Sequence, residues 1–268
     1  MEIKHLCFAY GNTPILKDLN FSIREGKITT ILGPNGCGKT TLFRLLTRGL
    51  TPAKGSVWIK GKNIYTVDRK DFARGAAIVQ QNNTSTADIT VEELVAFGRT
   101  PYQKFYGTRT KRDEEEIEKA MKITNILKHR KRGMGTLSGG QKQRVWIAMA
   151  LAQNPEYLFL DEPTTYLDIR YQVQILELVK ELNEAYGMTI VMVLHDINQA
   201  IAYSHEIFCM KGGHILFSGA PEEVITQEHL KELYGIDMKV LNLGNKKHVI
   251  AERALWENNE EEGEVENL

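Results

Sequence analysis

Apolar and polar residues follow one another in two different patterns along this 268-residue chain. Near the amino terminus, Ile3–Phe8 and Leu19–Ile23 are predicted strands; in the second, apolar residues occupy every other position, as in a half-buried strand. Val57 and Ile59 continue this pattern. The intervening segment Tyr10–Pro14 is predicted to be a loop from its Gly, Asn and Pro residues. These features indicate a β region at the amino terminus.

The later strands are instead short, continuous apolar runs. Four of them are typical of strands buried on both faces of a parallel sheet: Ile28–Leu32, Ala76–Val79, Tyr157–Leu160 and Thr189–Leu194. Helical patterns separate them, including Ile169–Tyr186, which Gly187 ends. Gly212-Gly213 predicts a hairpin between strands Ile207–Met210 and Ile215–Phe217. The alternation of strands and helices predicts an α/β fold with a mainly parallel sheet.

The middle of the chain has a different texture. Helices are predicted at Val91–Phe97, at Asp113–Leu127 and at Val145–Ala152. The first two lie between Val91 and about Arg132, a stretch interpreted as a helical insert in the α/β domain, and the alternation of helices and strands returns from Gly139.

The net charge adds little to this prediction of the fold, because 34 basic residues balance 34 acidic ones. Zero net charge argues weakly against a general nucleic-acid binder. However, residues 257–268 contain six glutamates and no basic residue, and we expect this tail to be disordered. The remaining body is therefore basic, and its helical insert carries a basic cluster: Arg99, Lys104, Arg109, Lys111, Arg112 and residues 128–132. That cluster predicts either a solvated face or a surface held near anionic lipid.

The chain has no apolar run long enough to cross a bilayer, and its first residues lack the layout of a secretion signal. Its three cysteines, Cys7, Cys37 and Cys209, are far apart and form no C-x-x-C pair. This usage predicts a reduced, cytosolic compartment without disulfides or a zinc site.

Residues 33–40, Gly-Pro-Asn-Gly-Cys-Gly-Lys-Thr, match the phosphate-binding pattern G-x-x-x-x-G-K-S/T between a predicted strand and a predicted helix. The glycines allow backbone N–H groups to point inward, and the helix start favours anions. Lys39 is expected to reach the β- and γ-phosphates, and Thr40 to ligate Mg²⁺. Cys37 is either a small filler or a site of oxidation control. The predicted ATP-binding residues of this loop are Asn35, Gly36, Cys37, Gly38, Lys39, Thr40 and Thr41.

Two further groups of residues suggest chemistry. Asp161 and Glu162 follow the apolar strand Tyr157–Leu160, at the end where α/β sheets bind ligands. We expect Asp161 to hold Mg²⁺ and Glu162 to orient and polarise an attacking water. Leu137–Gln141, Leu-Ser-Gly-Gly-Gln, precedes a helix for which Ser138 is a candidate N-cap.

Together these motifs resemble, in order, the ATP-binding cassette (ABC) ATPase family. Residues 33–40 resemble its Walker A motif, Leu137–Gln141 is identical to its signature, and Leu158–Glu162 resembles Walker B. The resemblance spans 1–235 and implies a phosphate-loop NTPase core with a mainly parallel sheet, an N-terminal antiparallel β region and a helical signature subdomain at about 84–155. Residues 236–256 would form a C-terminal extension, followed by the acidic tail at 257–268.

The resemblance also implies roles for individual residues. It implies that Tyr10 stacks on adenine, that Gln80 senses Mg²⁺ and couples to a membrane partner, and that His195 contacts the γ-phosphate. Gln81 is an alternative to Gln80. Three residues would act across a head-to-tail homodimer with two composite ATP sites: Ser138, Gly140 and Asp168.

A more specific resemblance concerns residues 92–102, which are similar to a stretch of importer ATPases for iron–siderophore, haem and cobalamin uptake. Residues 219–224 and 233–235 also resemble that subgroup, whereas Thr40-Thr41 and Val79 depart from its commonest residues. The resemblance implies a peripheral subunit at the cytoplasmic face of the cell membrane, working with two permease subunits and indirectly with a solute-binding protein, and not with nucleic acid.

A groove near Gln80–Tyr102 is expected to receive a permease helix, with Phe97 and Arg99 needed for coupling. The alternative for 92–102 is a helix packed on its own domain. The alternative function is a non-transport ABC ATPase acting on ribosomes, DNA or cluster assembly, which the single cassette and the absence of sustained heptads disfavour.

Overall fold

A computed structural model describes residues 1–103, 109–244 and 246–251. The strands are β1 Glu2–Tyr10, β2 Thr13–Ser22, β3 Ile28–Leu32, β4 Lys54–Ile59, β5 Lys62–Asn63, β6 Ala76–Val79, β7 Tyr157–Asp161, β8 Thr189–Val193, β9 Glu206–Lys211, β10 His214–Gly219, β11 Met238–Leu243 and β12 Lys246–Ala251. The helices are α1 Lys39–Leu46, α2 Arg69–Gly75, α3 Val91–Ala96, α4 Lys111–Ile123, α5 Gly139–Ala152, α6 Ile169–Tyr186, α7 Ile197–Tyr203, α8 Pro221–Val224 and α9 Gln227–Tyr234.

The predicted mainly parallel sheet is confirmed. Its strand order is β10-β9-β3-β8-β7-β6, in which β10 alone runs antiparallel to its neighbour. Because β3, β6, β7 and β8 run in the same direction, their carboxyl ends meet at one edge. The phosphate loop, Gln80, Glu162 and His195 all follow strands at that edge.

A separate antiparallel sheet of order β2-β1-β4-β5 forms the amino-terminal region. The predicted loop Tyr10–Pro14 is wrong at both ends. Tyr10 belongs to β1 and pairs with Thr13 in β2, so the turn itself consists of Gly11 and Asn12. Gly11 has a φ of 56°, which a glycine adopts without steric cost.

Two apolar cores lie on opposite faces of the central sheet, which explains its continuous apolar strands. In β7, Leu158 and Leu160 pack with the helices α3–α6, whereas Tyr157 and Phe159 pack with α1 and the antiparallel sheet. Successive residues of a strand point to opposite faces, so every residue of β7 is buried. This double burial fixes the strand ends that carry the candidate site.

The described elements between β6 and β7 are helical. After α9, β11 and β12 form an antiparallel hairpin that the sequence did not predict. Asn198 of α7 attaches it, because the Asn198 side chain accepts from Val249 N at 2.8 Å and donates to Val249 O at 3.0 Å. The acidic tail predicted at 257–268 lies outside the described residues.

Candidate ATP-hydrolysing site

The phosphate loop is held in a close-packed conformation between β3 and α1 that its glycines permit. Gly33 has a φ of 152°, and a Cβ atom there would lie 2.2 Å from the carbonyl oxygen of Met210. Gly38 has a φ of 108° and begins α1 without any side-chain cap. Buried Lys39 donates from Nζ to the carbonyl oxygens of Gly33 at 2.8 Å and Pro34 at 3.0 Å. The loop therefore presents a helix start and a buried cation together, which is an anion-binding arrangement.

The turn between β9 and β10 supports this loop from outside. Gly213 N donates to the carbonyl oxygen of Cys37 at 3.1 Å, and Gly213 O accepts from Lys17 N of β2 at 3.1 Å. Cys37 itself is buried, and burial raises the pKa of its thiol above the ordinary value. A protonated, buried thiol is a poor nucleophile, so these observations favour the filler role over oxidation control.

Asp161 carries a buried carboxylate with an unused oxygen. It ends β7, and its Oδ1 atom has no hydrogen-bond partner. Burial, followed by the charge of Glu162, raises the pKa of Asp161 to about 6. Asp161 faces a cavity of about 350 Å³ that Thr40 and Gln80 also line. These are the oxygen donors that Mg²⁺ prefers, so the residues present fit that ion.

Glu162 lies next to Asp161 and is engaged through both carboxylate oxygens. Its Oε1 is 2.6 Å from His195 Nε2. Its Oε2 accepts from Gln81 Nε2 at 2.5 Å and from Thr165 Oγ1 at 3.1 Å. The backbone of Glu162 is left-handed, with a φ of 49°, an uncommon conformation for a residue with a side chain.

Gln81 was named in the sequence only as an alternative to Gln80, and its contact with Glu162 was not foreseen. Both glutamines line the cavity beside Asp161, and it is Gln81 that bonds to Glu162. This contact depends on the sheet order, in which β6 and β7 are neighbours with their carboxyl ends side by side, and the sequence pattern does not specify that order.

The signature residues lie at a different place from the phosphate loop. Ser138 caps α5: its hydroxyl accepts from Gln141 N at 3.4 Å, and the Gln141 side chain accepts from Ser138 N at 3.0 Å. Gly140 packs so closely on α6 that a Cβ atom would lie 2.2 Å from Tyr171 Cδ1. Asp168 caps α6 through Tyr171 N at 3.0 Å. These hydrogen bonds of Ser138 and Asp168 are thus made within the first turn of the helix that each residue begins.

Apolar side chains are exposed beside Asp168. Tyr166 is 89% exposed and Ile169 is 80% exposed.

Tyr10, the predicted adenine contact, lies at the end of β1 and is half-exposed. Its ring meets the Phe8 ring edge-on, with the two ring centroids 4.9 Å apart. The structure therefore brings Lys39, Thr40, Asp161, Glu162, Gln80 and His195 to one sheet edge, and places Ser138, Gly140 and Asp168 at a second surface.

The prediction that Arg99 lies in a basic surface cluster is wrong, whereas its role in coupling stays a prediction. Arg99 is 3% exposed; its Nε donates to Asp113 Oδ1 at 2.8 Å and its Nη1 to the carbonyl oxygen of Ala152 at 2.7 Å. Its guanidinium also stacks on Tyr102 at 3.9 Å. Arg99 therefore holds the helical insert together and does not belong to the basic cluster on the surface. Phe97, by contrast, is 57% exposed.

Other members of that cluster are also paired. Arg130 forms a bidentate ion pair with Glu92, and Arg109 lies 3.9 Å from Glu114. Lys104 lies outside the described residues. These pairs favour the solvated face over a lipid-binding surface.

Comparison with known proteins now identifies the class. The family model described as "ABC transporter" matches residues 16–165, more than half of the chain. The chain is 44% identical to the ferric enterobactin transport ATP-binding protein FepC of Escherichia coli K12, over 89% of this chain and 88% of that protein. It is 43% identical to the iron(3+)-hydroxamate import ATP-binding protein FhuC of Bacillus subtilis 168, over 90% of each.

A solved structure agrees. The chain superposes with a TM-score of 0.70 on the ATP-binding cassette MJ0796 in a dimeric, post-hydrolysis state bound to ADP and Pi, at 29% identity over 82% of this chain and 98% of that one. This chain belongs to the ABC transporter family. It is an ATP-binding ATPase of that family, and the alternative function as a non-transport ATPase is not supported. Within the described residues, no helix has the length and apolarity needed to cross a membrane.

Proposed function

We propose that this chain is the ATP-hydrolysing subunit of an importer for an iron complex, a ferric siderophore or haem, or for a corrinoid. The observation that carries the hydrolytic part is the Glu162 carboxylate, held at the strand edge beside the unpartnered Oδ1 of Asp161. The transported class is supported by the similarity to FepC and FhuC and by the residues at 92–102.

The chemistry follows from charge and position. Backbone N–H groups of the phosphate loop and the Lys39 ammonium bind the β- and γ-phosphates of ATP. Thr40, Asp161 and Gln80 would hold Mg²⁺, which offsets phosphate charge when bound. Glu162 accepts a hydrogen bond from the attacking water and orients it, while His195 reaches the γ-phosphate.

Each site is completed by a second copy of the chain. The signature residues Ser138 and Gly140 bond and pack within their own α5 and α6, on a surface that also exposes Tyr166 and Ile169. A head-to-tail homodimer with two-fold symmetry would cover these apolar side chains and bring each α5 start to the partner's γ-phosphate. Asp168 would contact the partner chain, and Tyr10 would stack on the adenine of ATP.

Two permease subunits would dock at the face between Gln80 and Tyr102. Exposed Phe97 lies on this face, and a neighbouring cavity of about 680 Å³ is lined by Tyr65, Phe72 and Ile78 together with Arg48 and Arg69. A groove that combines these apolar side chains with two arginines suits a helix with one acidic side chain. Docking of this kind would hold the chain at the cytoplasmic face of the membrane, and a solute-binding protein would act through the permeases.

Uptake in cells tests the proposed function. A strain that lacks this chain should lose uptake of a radiolabelled ferric siderophore, haem or corrinoid. The wild-type chain should restore uptake, whereas Glu162→Gln should bind ATP without restoring it. If the deletion left uptake of all three ligand types intact while the protein sedimented with ribosomes, the importer assignment would be wrong.

Phe97 tests the docking face. Phe97→Ala removes an exposed aromatic contact. Uptake should therefore fall, whereas basal ATP hydrolysis should stay near the wild-type rate. Equal losses of uptake and hydrolysis would place Phe97 in the fold of the ATPase and not in the docking face.

A further inference from the structure

The hairpin of β11 and β12 has an inner face that attaches it to the body of the protein. Successive residues of a strand point to opposite faces, so each strand contributes one set of side chains to either face. On the inner face, Val249 is buried, and Met238 and Val240 pack against the main core. Lys247 lies on the same face, and its Nζ atom donates to two carbonyl oxygens of residues 222–225, at 2.6 and 2.7 Å. These contacts fix the position of the hairpin.

The outer face of the hairpin combines apolar and basic side chains. It consists of three register pairs: Lys239 with Ile250, Leu241 with His248, and Leu243 with Lys246. All six residues are exposed, Leu243 by 59% and Ile250 by 52%. Ile250 lies diagonally across from Leu241, and Leu243 is two residues further along the same strand, so the three apolar side chains form one patch. An exposed apolar patch bordered by polar side chains is typical of an interaction surface.

The segment that follows β12 has a composition that complements this face. Strand β12 ends at Ala251, and residues 252–268 continue directly from it. This segment begins with Glu-Arg-Ala-Leu-Trp, in which Leu255 and Trp256 are adjacent, and its residues 257–268 contain six glutamates and no basic residue. It therefore offers apolar side chains first and acidic side chains afterwards.

The 252–268 segment starts beside the outer face and is long enough to cover it. Ala251 pairs with Met238, at the end of the hairpin opposite its turn. The outer face runs from Ile250 to Lys246, which is about 13 Å at about 3.3 Å per strand residue. A reversal within residues 252–254 would bring Leu255 and Trp256 over the apolar patch. The glutamates would then follow along the face towards Lys246.

We propose that the 252–268 segment folds back over the outer face of the hairpin, with Leu255 and Trp256 on the apolar patch and the glutamates beside the basic side chains. A segment that is disordered by itself can become ordered on such a surface. Because it is tethered next to the face, its effective concentration is on the order of millimolar, which favours it over a second copy of the chain at micromolar concentration. The glutamates also repel anionic lipid headgroups from the same face.

Fluorescence of Trp256 in the full-length chain tests this docking. The chain has three tryptophans, so the difference between each protein and its Trp256→Phe counterpart isolates the signal of Trp256. Contact with the patch shields the indole ring from solvent. In the wild type, acrylamide should therefore quench this signal about threefold less than in Leu241→Ser/Leu243→Ser, which removes two apolar side chains of the patch.

The fold should survive this double substitution, because both leucines are exposed. Asn242→Ser is the matched control: Asn242 lies between the two leucines in β11, is exposed and points to the opposite face. Its Trp256 quenching should equal that of the wild type.

A charge exchange tests the acidic half of the contact. Lys246→Glu should raise the quenching of Trp256 by about 1.5- to 2-fold, because it places a like charge beside the glutamates. Adding Glu260→Lys, Glu261→Lys and Glu262→Lys to this variant should bring the quenching back towards the wild-type value. A loss caused only by damage to the hairpin would not be reversed in this way.

Three results would overturn the proposal. Equal quenching of Trp256 in the wild type and in Leu241→Ser/Leu243→Ser would mean that the segment does not lie on the patch. Shielding that disappears on dilution from about 50 to about 0.5 μM would mean that a second copy covers the face. Co-sedimentation of the wild type with phosphatidylglycerol vesicles, abolished by the same double substitution, would mean that lipid does. None of these measurements involves ATP hydrolysis or uptake, so their outcome is independent of the proposed function.

Discussion

Two helix starts in this molecule are built in opposite ways. Helix α1 begins at Gly38, which offers no side-chain cap and is enclosed by the phosphate loop. Helix α5 begins at Ser138 and carries a complete capping box with Gln141. The first four N–H groups of any helix need partners from elsewhere. Helix α1 therefore leaves this need to a ligand, whereas α5 meets part of it within its own sequence.

The difference shows how one ATP site can be divided between two surfaces. The α1 side is concave, contains Lys39 and holds an unpartnered buried carboxylate in Asp161, so its charges await a ligand. The α5 side is exposed and internally satisfied at Ser138, so it is stable before any partner arrives. On this account, α1 binds nucleotide in the single chain and α5 completes the site from a second copy.

Removing the cation of the α1 side should have the largest effect. Lys39→Met takes a buried ammonium from the phosphate loop, and we expect hydrolysis to fall by about 10²- to 10³-fold, with weaker ATP binding. Binding of a fluorescent ATP analogue and the steady-state hydrolysis rate measure both effects. Lys119→Met, on the exposed face of α4, is the control and should behave like the wild type. Hydrolysis within twofold of wild type for Lys39→Met would contradict the assignment of α1 as the phosphate site.

Adding a charge to the α5 side should separate function from folding. Asp is as good an N-cap as Ser, so Ser138→Asp should leave the free energy of unfolding nearly unchanged. Its carboxylate would repel the partner's γ-phosphate, and hydrolysis should fall by roughly 10- to 100-fold while the single chain still binds ATP. Ser138→Ala should instead lower the free energy of unfolding by about 1 kcal/mol through loss of the cap. Urea unfolding and hydrolysis assays distinguish the two; full hydrolysis by Ser138→Asp would remove α5 from the site.

The unpartnered carboxylate on the α1 side should give the smallest effect, visible as a dependence of stability on pH. Because burial raises the pKa of Asp161 to about 6, the folded chain binds that proton more tightly than the unfolded chain does. The contribution of Asp161 to the free energy of unfolding therefore falls as pH rises from about 4 through about 6, and the ionised form is a cost above that range.

Without Mg²⁺ or nucleotide, Asp161→Asn should thus be about 1 to 3 kcal/mol more stable than the wild type at pH 8, with roughly a third of that gain at pH 4.5. Thermal unfolding at the two pH values checks this expectation. A gain of the same size at both values would show that ionisation is not its cause.

Much of the α1 side could be predicted from the sequence, because its features are local. The strand Ile28–Leu32 and the strand Ala76–Val79 have the predicted bounds, and the glycine spacing of residues 33–40 dictates the loop. Asp161 and Glu162 also stand at the predicted strand end. In each case the prediction depends on residues that are adjacent in the sequence.

The remaining features depend on residues that are distant in sequence. From the sequence alone, Arg99 is predicted to lie on the surface. In the structure it is buried and donates hydrogen bonds to Asp113 and to the carbonyl oxygen of Ala152. Gln81 and Glu162 are 81 residues apart in the sequence. They can bond because β6 and β7, the strands that they follow, lie side by side in the sheet. A periodic pattern specifies the face of a strand and says nothing about which strand becomes its neighbour.

Mixing two impaired variants tests the division of the ATP site most directly. Lys39→Met has an intact α5 start, and Ser138→Asp has an intact phosphate loop. In a mixed dimer of two-fold geometry, one of the two sites combines both intact halves. The account predicts that the mixture hydrolyses ATP at a rate that neither variant reaches alone, and that the gain depends on total protein concentration. A mixture no more active than its separate components would contradict the shared site.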